Sequence, residues 1–210
     1  MDRRLFLAAV PLVAGGSLNA LAQTTPPGAP PPGPPTRIRG TIASVEGNKM
    51  TVNSRDGKKL EVTLADGFTV ATVKKVELSA IKETDFIGTA TRTGADGKMT
   101  AIEVLVFPEA LRGTGEGFYP WDLEPGSMMT NGTVKGAVMA SEGRELTVAY
   151  KDKSNVVYVP PSAAIVTFAP ATKDDLKVGA PIFTVSPPNP EGTLKVSRVT
   201  VGKDGVAPPM

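Results

Sequence analysis

Two residue types are missing from this chain of 210 residues: there is no cysteine and no histidine. Without cysteine, no disulfide framework and no thiolate metal site can form. Without histidine, the commonest general base and the commonest metal ligand are lost together. Aromatic residues are scarce, at 5% of the chain, with a single tryptophan, Trp121. Charge is nearly balanced, 23 basic against 21 acidic residues, a formal +2. That is too little to imply nucleic acid or an anionic surface. Binding single strands also calls for aromatic platforms in a basic groove, so no nucleic-acid partner is expected. No apolar run approaches ~18 residues, so no transmembrane segment is expected in the mature chain. No cofactor is expected.

What is present begins with an address. Residues 1–22 read as an export signal peptide: Arg3 and Arg4, the apolar stretch Leu5 to Val13, and Ala20-Leu21-Ala22 as cleavage site. The run Arg3-Arg4-Leu5-Phe6-Leu7 resembles a twin-arginine signal. A general secretion signal fits the same features, and both routes stay open. Either one puts the mature protein, from about Gln23, outside the cytoplasm. Removing Asp2, Arg3 and Arg4 leaves it 21 basic and 20 acidic residues. Residues 23–36, QTTPPGAPPPGPPT, form a Pro-rich linker whose extended conformation buries no core.

Beyond the linker the signals are strand signals. Leu60, Val62 and Leu64 alternate with Glu61 and Thr63, and Met50 and Val52 flank Thr51. Asp56-Gly57, Asp66-Gly67 and Asp96-Gly97 punctuate these runs as hairpin turns. Only LSAIKET, residues 78–84, and TKDDLKVG, residues 172–179, suggest short helical turns, the second capped at its start and ended by Gly179. Residues 131–202 repeat the order of 37–107. Gly40-Thr41-Ile42 corresponds to Gly132-Thr133-Val134, Met50-Thr51-Val52 to Leu146-Thr147-Val148, and Ala80-Ile81-Lys82 to Asp175-Leu176-Lys177. Val104 and Val106 correspond to Val199 and Val201. In each copy the apolar parity breaks once within the last strand, which predicts a bulge near Ile102-Glu103 and another near Ser197-Arg198. The expected fold is all-β: two tandem small OB-like β-barrels, 37–107 and 131–202, joined by an irregular Gly/Pro/aromatic connector, 108–130, with 203–210 as a tail. Each unit is small enough for its core to be marginal alone. The halves are therefore expected to pack together, with Phe118, Tyr119, Trp121, Leu123 and Met128 sealing the junction.

The connector, PEALRGTGEGFYPWDLEPGSMMT, holds the candidate chemistry. Arg112, Glu116, Phe118, Tyr119, Trp121 and Asp122 are the candidate binding residues. Aromatics in a glycine-rich segment can stack on a sugar ring or anchor a partner, or plug the interface between barrels. Arg112 is placed to pair with Asp122 or Glu124. Glu116, Asp122 and Glu124 are the candidate ligands for a hard cation such as calcium, and Met128-Met129 for a soft one. Gly113-Thr114-Gly115-Glu116-Gly117 lacks the lysine and helix of a phosphate loop and reads as a tight connector. The serines have no histidine to activate them and none sits in a Gly-x-Ser-x-Gly elbow.

The stretch FPEALRGTGEGFYPWDLEPGSMMTNGTV, with RGTIASVEGNKMTV before it and VPPSAAIVTFAP and VTVGKDGVAPPM after it, resembles a group of exported proteobacterial proteins. Their repeat is a domain of unknown function with OB-like β structure, and many carry the label "metal ABC transporter permease". The resemblance spans Arg37 to Met210. It implies fold and a periplasmic location, and no established activity. A literal permease needs several membrane spans, which this chain lacks. Relatives often have a histidine after the Gly-Glu-Gly, where this chain has Phe118. Together these readings lead to a non-catalytic exported envelope protein, a binding or scaffolding module with an unknown envelope ligand or protein partner. The alternatives are a periplasmic accessory in metal-ion handling and, third, an envelope hydrolase.

Overall fold

The structure is a computed structural model that describes residues 33–139, 142–189 and 191–208. The expected signal peptide and most of the Pro-rich linker lie outside these residues. Twelve strands are described: β1 (Thr36–Glu46), β2 (Lys49–Ser54), β3 (Lys59–Lys75), β4 (Phe86–Thr93), β5 (Met99–Val106), β6 (Gly117–Pro120), β7 (Met128–Met139), β8 (Arg144–Tyr150), β9 (Lys153–Val159), β10 (Ala164–Pro170), β11 (Pro181–Ser186) and β12 (Leu194–Val201). Three single 3-10 turns, Leu78–Ala80, Glu109–Leu111 and Lys173–Asp175, are the helical elements described. The fold is all-β, as the alternation predicts.

Five strands close into a barrel, and they do not come from one half of the chain. β1, β2 and β3 form an antiparallel meander. β11 then pairs antiparallel with the start of β1, and β12 runs parallel to β3, from Leu194 opposite Val62 to Val201 opposite Thr72. β11 and β12 pair with one another and complete the ring. Its core holds Ile38, Ile42, Met50, Val52, Val62 and Leu64 from the first half with Leu176, Ile182, Val196, Val199 and Val201 from the second. Five of the seven remaining strands pair in the order β5-β4-β7-β8-β9, and a short parallel contact of Met99 with Val157 and Thr100 with Tyr158 joins the ends of that series. Its core joins Ile81, Ile87, Ala101 and Val104 to Val134, Leu146, Val148, Val157, Val159 and Ile165. Each half thus sends its last two strands, and the apolar residue of its helical turn, into the other half's strands.

The crossing is made by two strands. β3 is 17 residues long, far more than one ring of a small barrel needs, and its end, Ala71–Lys75, pairs with β10. On its other edge β10 runs parallel to β5. β3 carries the chain out of the first ring and β10 carries it back.

Both expected bulges are present. The β4–β5 register skips Ile102 as it passes from Ala90 opposite Glu103 to Thr91 opposite Ala101. The β12–β3 register shifts between Val196 and Arg198. In the first the extra residue is Ile102 of β5; in the second, Ala65–Phe68 of β3 stand opposite Ser197 alone, so Asp66-Gly67, expected as a hairpin turn, lies inside β3 as an irregularity of one continuous strand. Val196, Val199 and Val201 are all buried, as the parity break requires. The repeat is visible in finer contacts too. Ile42 exchanges backbone hydrogen bonds with Gly179 and Ala180, and Val134 does so with Thr84 and Asp85. The Thr89 hydroxyl donates to the Glu103 carbonyl and the Thr184 hydroxyl to the Arg198 carbonyl.

Candidate functional site

The connector is less irregular than its glycines and prolines suggest. Gly117–Pro120 forms β6, which pairs antiparallel with β7 from Asn131 to Met128. The next residues wind into a tight loop around Ser127. Its hydroxyl donates to the Glu124 and Trp121 carbonyls, and its oxygen accepts from the Glu124 amide. The Trp121 amide donates to the Ser127 carbonyl at 2.8 Å. This closed loop fixes the direction of the indole.

The strand period decides which connector side chains face inward. Tyr119 and Trp121 pack with Leu123, Phe107, Phe168 and Phe183 around a third core of Val73, Ala90, Leu105, Met129 and Val166. Phe118, one residue out of phase, is 41% exposed and leans on Tyr150, with ring centroids 6.2 Å apart. Phe118 therefore does not seal the junction, and the buried methionine is Met129 rather than Met128.

Around this third core lies a cleft of about 350 Å³. Leu105, Phe107, Met129, Phe168 and Phe183 give it apolar walls, with Tyr119 and Trp121 from the connector. Thr114, Asn131, Ser197 and Thr200 supply its neutral polar groups, and Arg198 lies on its lining. The lining comes from β3, β5, β6, β7, β10, β11 and β12, so both halves and the connector build it.

Asn131 organises one wall. Its amide donates to the Thr114 carbonyl at 3.0 Å and to the Tyr119 hydroxyl at 3.3 Å. Gly115, at φ +59°, permits this approach: a Cβ there would lie 3.0 Å from the Asn131 amide nitrogen and 3.1 Å from the Tyr119 hydroxyl. Burial pushes the Tyr119 phenol above its ordinary pKa, against a smaller opposing pull from Arg37. It therefore stays neutral. The Asn131 amide oxygen and the Trp121 indole nitrogen are both buried without a hydrogen-bond partner among the described residues.

Three arginines hold the outer side of the connector. The Arg37 guanidinium lies 4.0 Å from the Trp121 ring centroid, and that of Arg39 lies between Trp121 and Phe183, at 5.4 and 4.8 Å. Arg39 donates to the Asp122 carboxylate at 2.8 Å, and Arg37 is 3.9 Å from its other oxygen. Burial lowers the Arg39 pKa, against the opposing pull of its hydrogen bond to Asp122. Arg55 donates to the Asp122 and Leu123 carbonyls. Cation–π stacking and a shared carboxylate thus clamp the indole in place.

Of the six candidate binding residues, Tyr119, Trp121 and Asp122 come together here. The other three lie elsewhere. Arg112 pairs with Glu109 rather than with Asp122 or Glu124, and donates also to the Thr84 carbonyl. Glu116 accepts from the Lys151 amide in the β8–β9 turn. The hard-cation set does not assemble either. Glu116 is committed to that turn, Asp122 to the arginines, and Glu124 lies 3.9 Å from Arg92. Among the described residues no three acidic side chains gather into a metal-binding group. Local spacing placed the three acids together, but each follows a different strand or loop.

Sequence reasoning missed Arg37, Arg39, Ser127 and Asn131. A signal for the arginines exists: Thr36-Arg37-Ile38-Arg39 puts two guanidinium groups on one strand face while Ile38 points inward. Nothing local marks Asn131, whose partners lie 12 and 17 residues away. Comparison of the chain with known protein families, with curated proteins and with solved structures found no match.

Proposed function

We propose that the chain is a non-catalytic binding module, exported to the periplasm, whose ligand site is the cleft between the connector and the two groups of strands. The cleft itself carries this reading. It is concave, mostly aromatic and aliphatic, and furnished with a few fixed neutral polar groups, the composition typical of small-molecule sites. Its volume is at the small end of their range, roughly 300–1,000 Å³. The wall residues sit on strands paired on both sides or on the clamped connector, so the site is preformed and little ordering is lost on binding.

In this proposal each group of five strands is an OB-like barrel. The supporting pattern is a meander of three strands, a helical turn with one buried apolar residue, and a final hairpin whose last strand runs parallel to the third. The two barrels exchange their final hairpins. The exchange brings β5 and β12 to the same cleft, which side-by-side barrels would not do. The reading extends the resemblance to exported proteins with OB-like repeats to a site those proteins would share.

The test uses the single tryptophan. Titrating small apolar and aromatic molecules, glycan fragments and envelope extracts should shift the Trp121 emission. Val185→Phe should blunt the shift, because Val185 lines the cleft and is 39% exposed, so the larger side chain narrows the mouth without disturbing the cores. Emission unmoved by every addition would overturn the proposal.

A further inference from the structure

We infer that the cleft takes an apolar molecule bearing one anionic head group, and that Arg198 holds that group at the mouth. The inference rests on the reading of the cleft as the ligand site. Arg198 is the one charged residue among those that line it. It is exposed, and its guanidinium makes no hydrogen bond or ion pair with another described residue. Most other arginines of the described region are committed, to Asp122, Glu109, Glu124 or backbone carbonyls.

The fold aims this side chain. The register shift at Ser197 leaves Val196 and Val199 both buried in the barrel core, while Ser197 and Arg198 between them are exposed and lie on the cleft lining. The Thr184 hydroxyl, also on the cleft lining, donates to the Arg198 carbonyl at 2.6 Å and pins the backbone beneath the arginine. The repeat sharpens the point. The position equivalent to Arg198 in the other bulge is Glu103, which is buried. Two copies of one bulge have diverged to opposite charges, and the cation stands at the open site.

Size and shape narrow the class. An apolar cavity of ~150 Å³ accepts benzene, so about 350 Å³ suits a body of roughly ten to fifteen non-hydrogen atoms. A guanidinium fork recognises a carboxylate through two parallel hydrogen bonds, and it is strongest beside an apolar wall that keeps water off one side. A medium-chain or aromatic carboxylate meets both requirements.

Isothermal titration of the full chain with decanoate and with 1-decanol tests this, since the two fill the same walls and differ in charge. Decanoate should bind about fivefold more tightly at low salt, with the advantage shrinking as salt screens the exposed pair. Arg198→Gln should bring decanoate to the level of decanol, leave decanol unchanged, and keep the melting temperature, because the side chain is exposed. Equal binding of both by the wild-type chain, or decanoate binding unmoved by Arg198→Gln, overturns the inference and leaves the cleft as a site for neutral molecules. Binding of neither overturns the cleft reading along with it.

Discussion

Gly40 and Gly132 hold matching positions in the two halves, and each lies against a neighbouring strand so closely that a Cβ would overlap a backbone carbonyl, of Asn53 and of Ala149. Backbone cannot swing aside as a side-chain tip can. Gly40→Ala and Gly132→Ala should each cost about 1–3 kcal/mol or more, read as a lower urea midpoint. Gly47→Ala, at φ +60° in open space, should cost only about 1 kcal/mol. Asp122 offers a second residue-scale test. It is the shared carboxylate of Arg37 and Arg39, and Arg39 is largely buried, with its Nε and second terminal nitrogen lacking partners among the described residues. Asp122→Asn should therefore cost about 1–2 kcal/mol, reduced from the usual cost of stranding a buried charge by the half-exposed position of the acid. It should also move the Trp121 emission, because the guanidinium stack on the indole loosens. Arg112→Ala, whose partner is the exposed Glu109, should move neither by a measurable amount.

Elements were the most legible level. Alternation marked the strands, Asp56-Gly57 and Asp96-Gly97 marked hairpin turns, and the parity breaks located both register shifts, because each signal is written within a few residues; Asp66-Gly67 carries the same turn signal yet lies inside β3, where β12 pairs alongside it. The turn at Lys173–Asp175 followed the same logic: Thr172 and Asp175 form a capping box there. Asp175 also receives Lys203 at 2.9 Å, tying this turn to the bridge between Lys203 and Val206. Hydrogen bonds from the Thr172 backbone first, then Lys203, hold the Asp175 carboxyl below the ordinary aspartate range. Its contribution is thus present above the unfolded pKa and is lost as pH falls through and below about 4. Lys203 has its pKa raised, chiefly by the bond to Asp175, so its share is full at neutral pH and fades only as pH rises through its own folded value. Protection of the Val206 amide, taken relative to the intrinsic exchange rate at each pH, should fall in acid, and Asp175→Asn should give the low protection already at neutral pH. The connector was read less well. Glycine and proline content argued for irregular structure, yet β6 forms inside it, because β7 offers a free edge that composition cannot reveal.

At the scale of the molecule the halves are interlocked rather than set side by side. Each core is built from both halves, so neither should persist alone. Unfolding in urea is expected to show one transition, with Trp121 emission and far-UV circular dichroism superimposed; two separated transitions would show the cores to be independent. Residues 33–107 and 108–208 made separately should lack dispersed amide spectra and regain them on mixing. A well-dispersed monomer from either piece alone would mean that each half can close on its own hairpin. The all-β class, the repeated strand order, the register shifts and the turns at Leu78–Ala80 and Lys173–Asp175 were determined by the sequence alone, since each depends on side-chain period or turn chemistry over short spans; the third turn, Glu109–Leu111, was not. Tertiary structure alone decided which half supplies which hairpin, and with it the cleft, the arginine clamp on Trp121 and the separation of the three connector acids. The two hairpins present the same inward-facing apolar pattern, so side-chain period does not tell which group of strands each one joins. The choice belongs to the long β3 and to β10, which carry the chain between the two groups of strands.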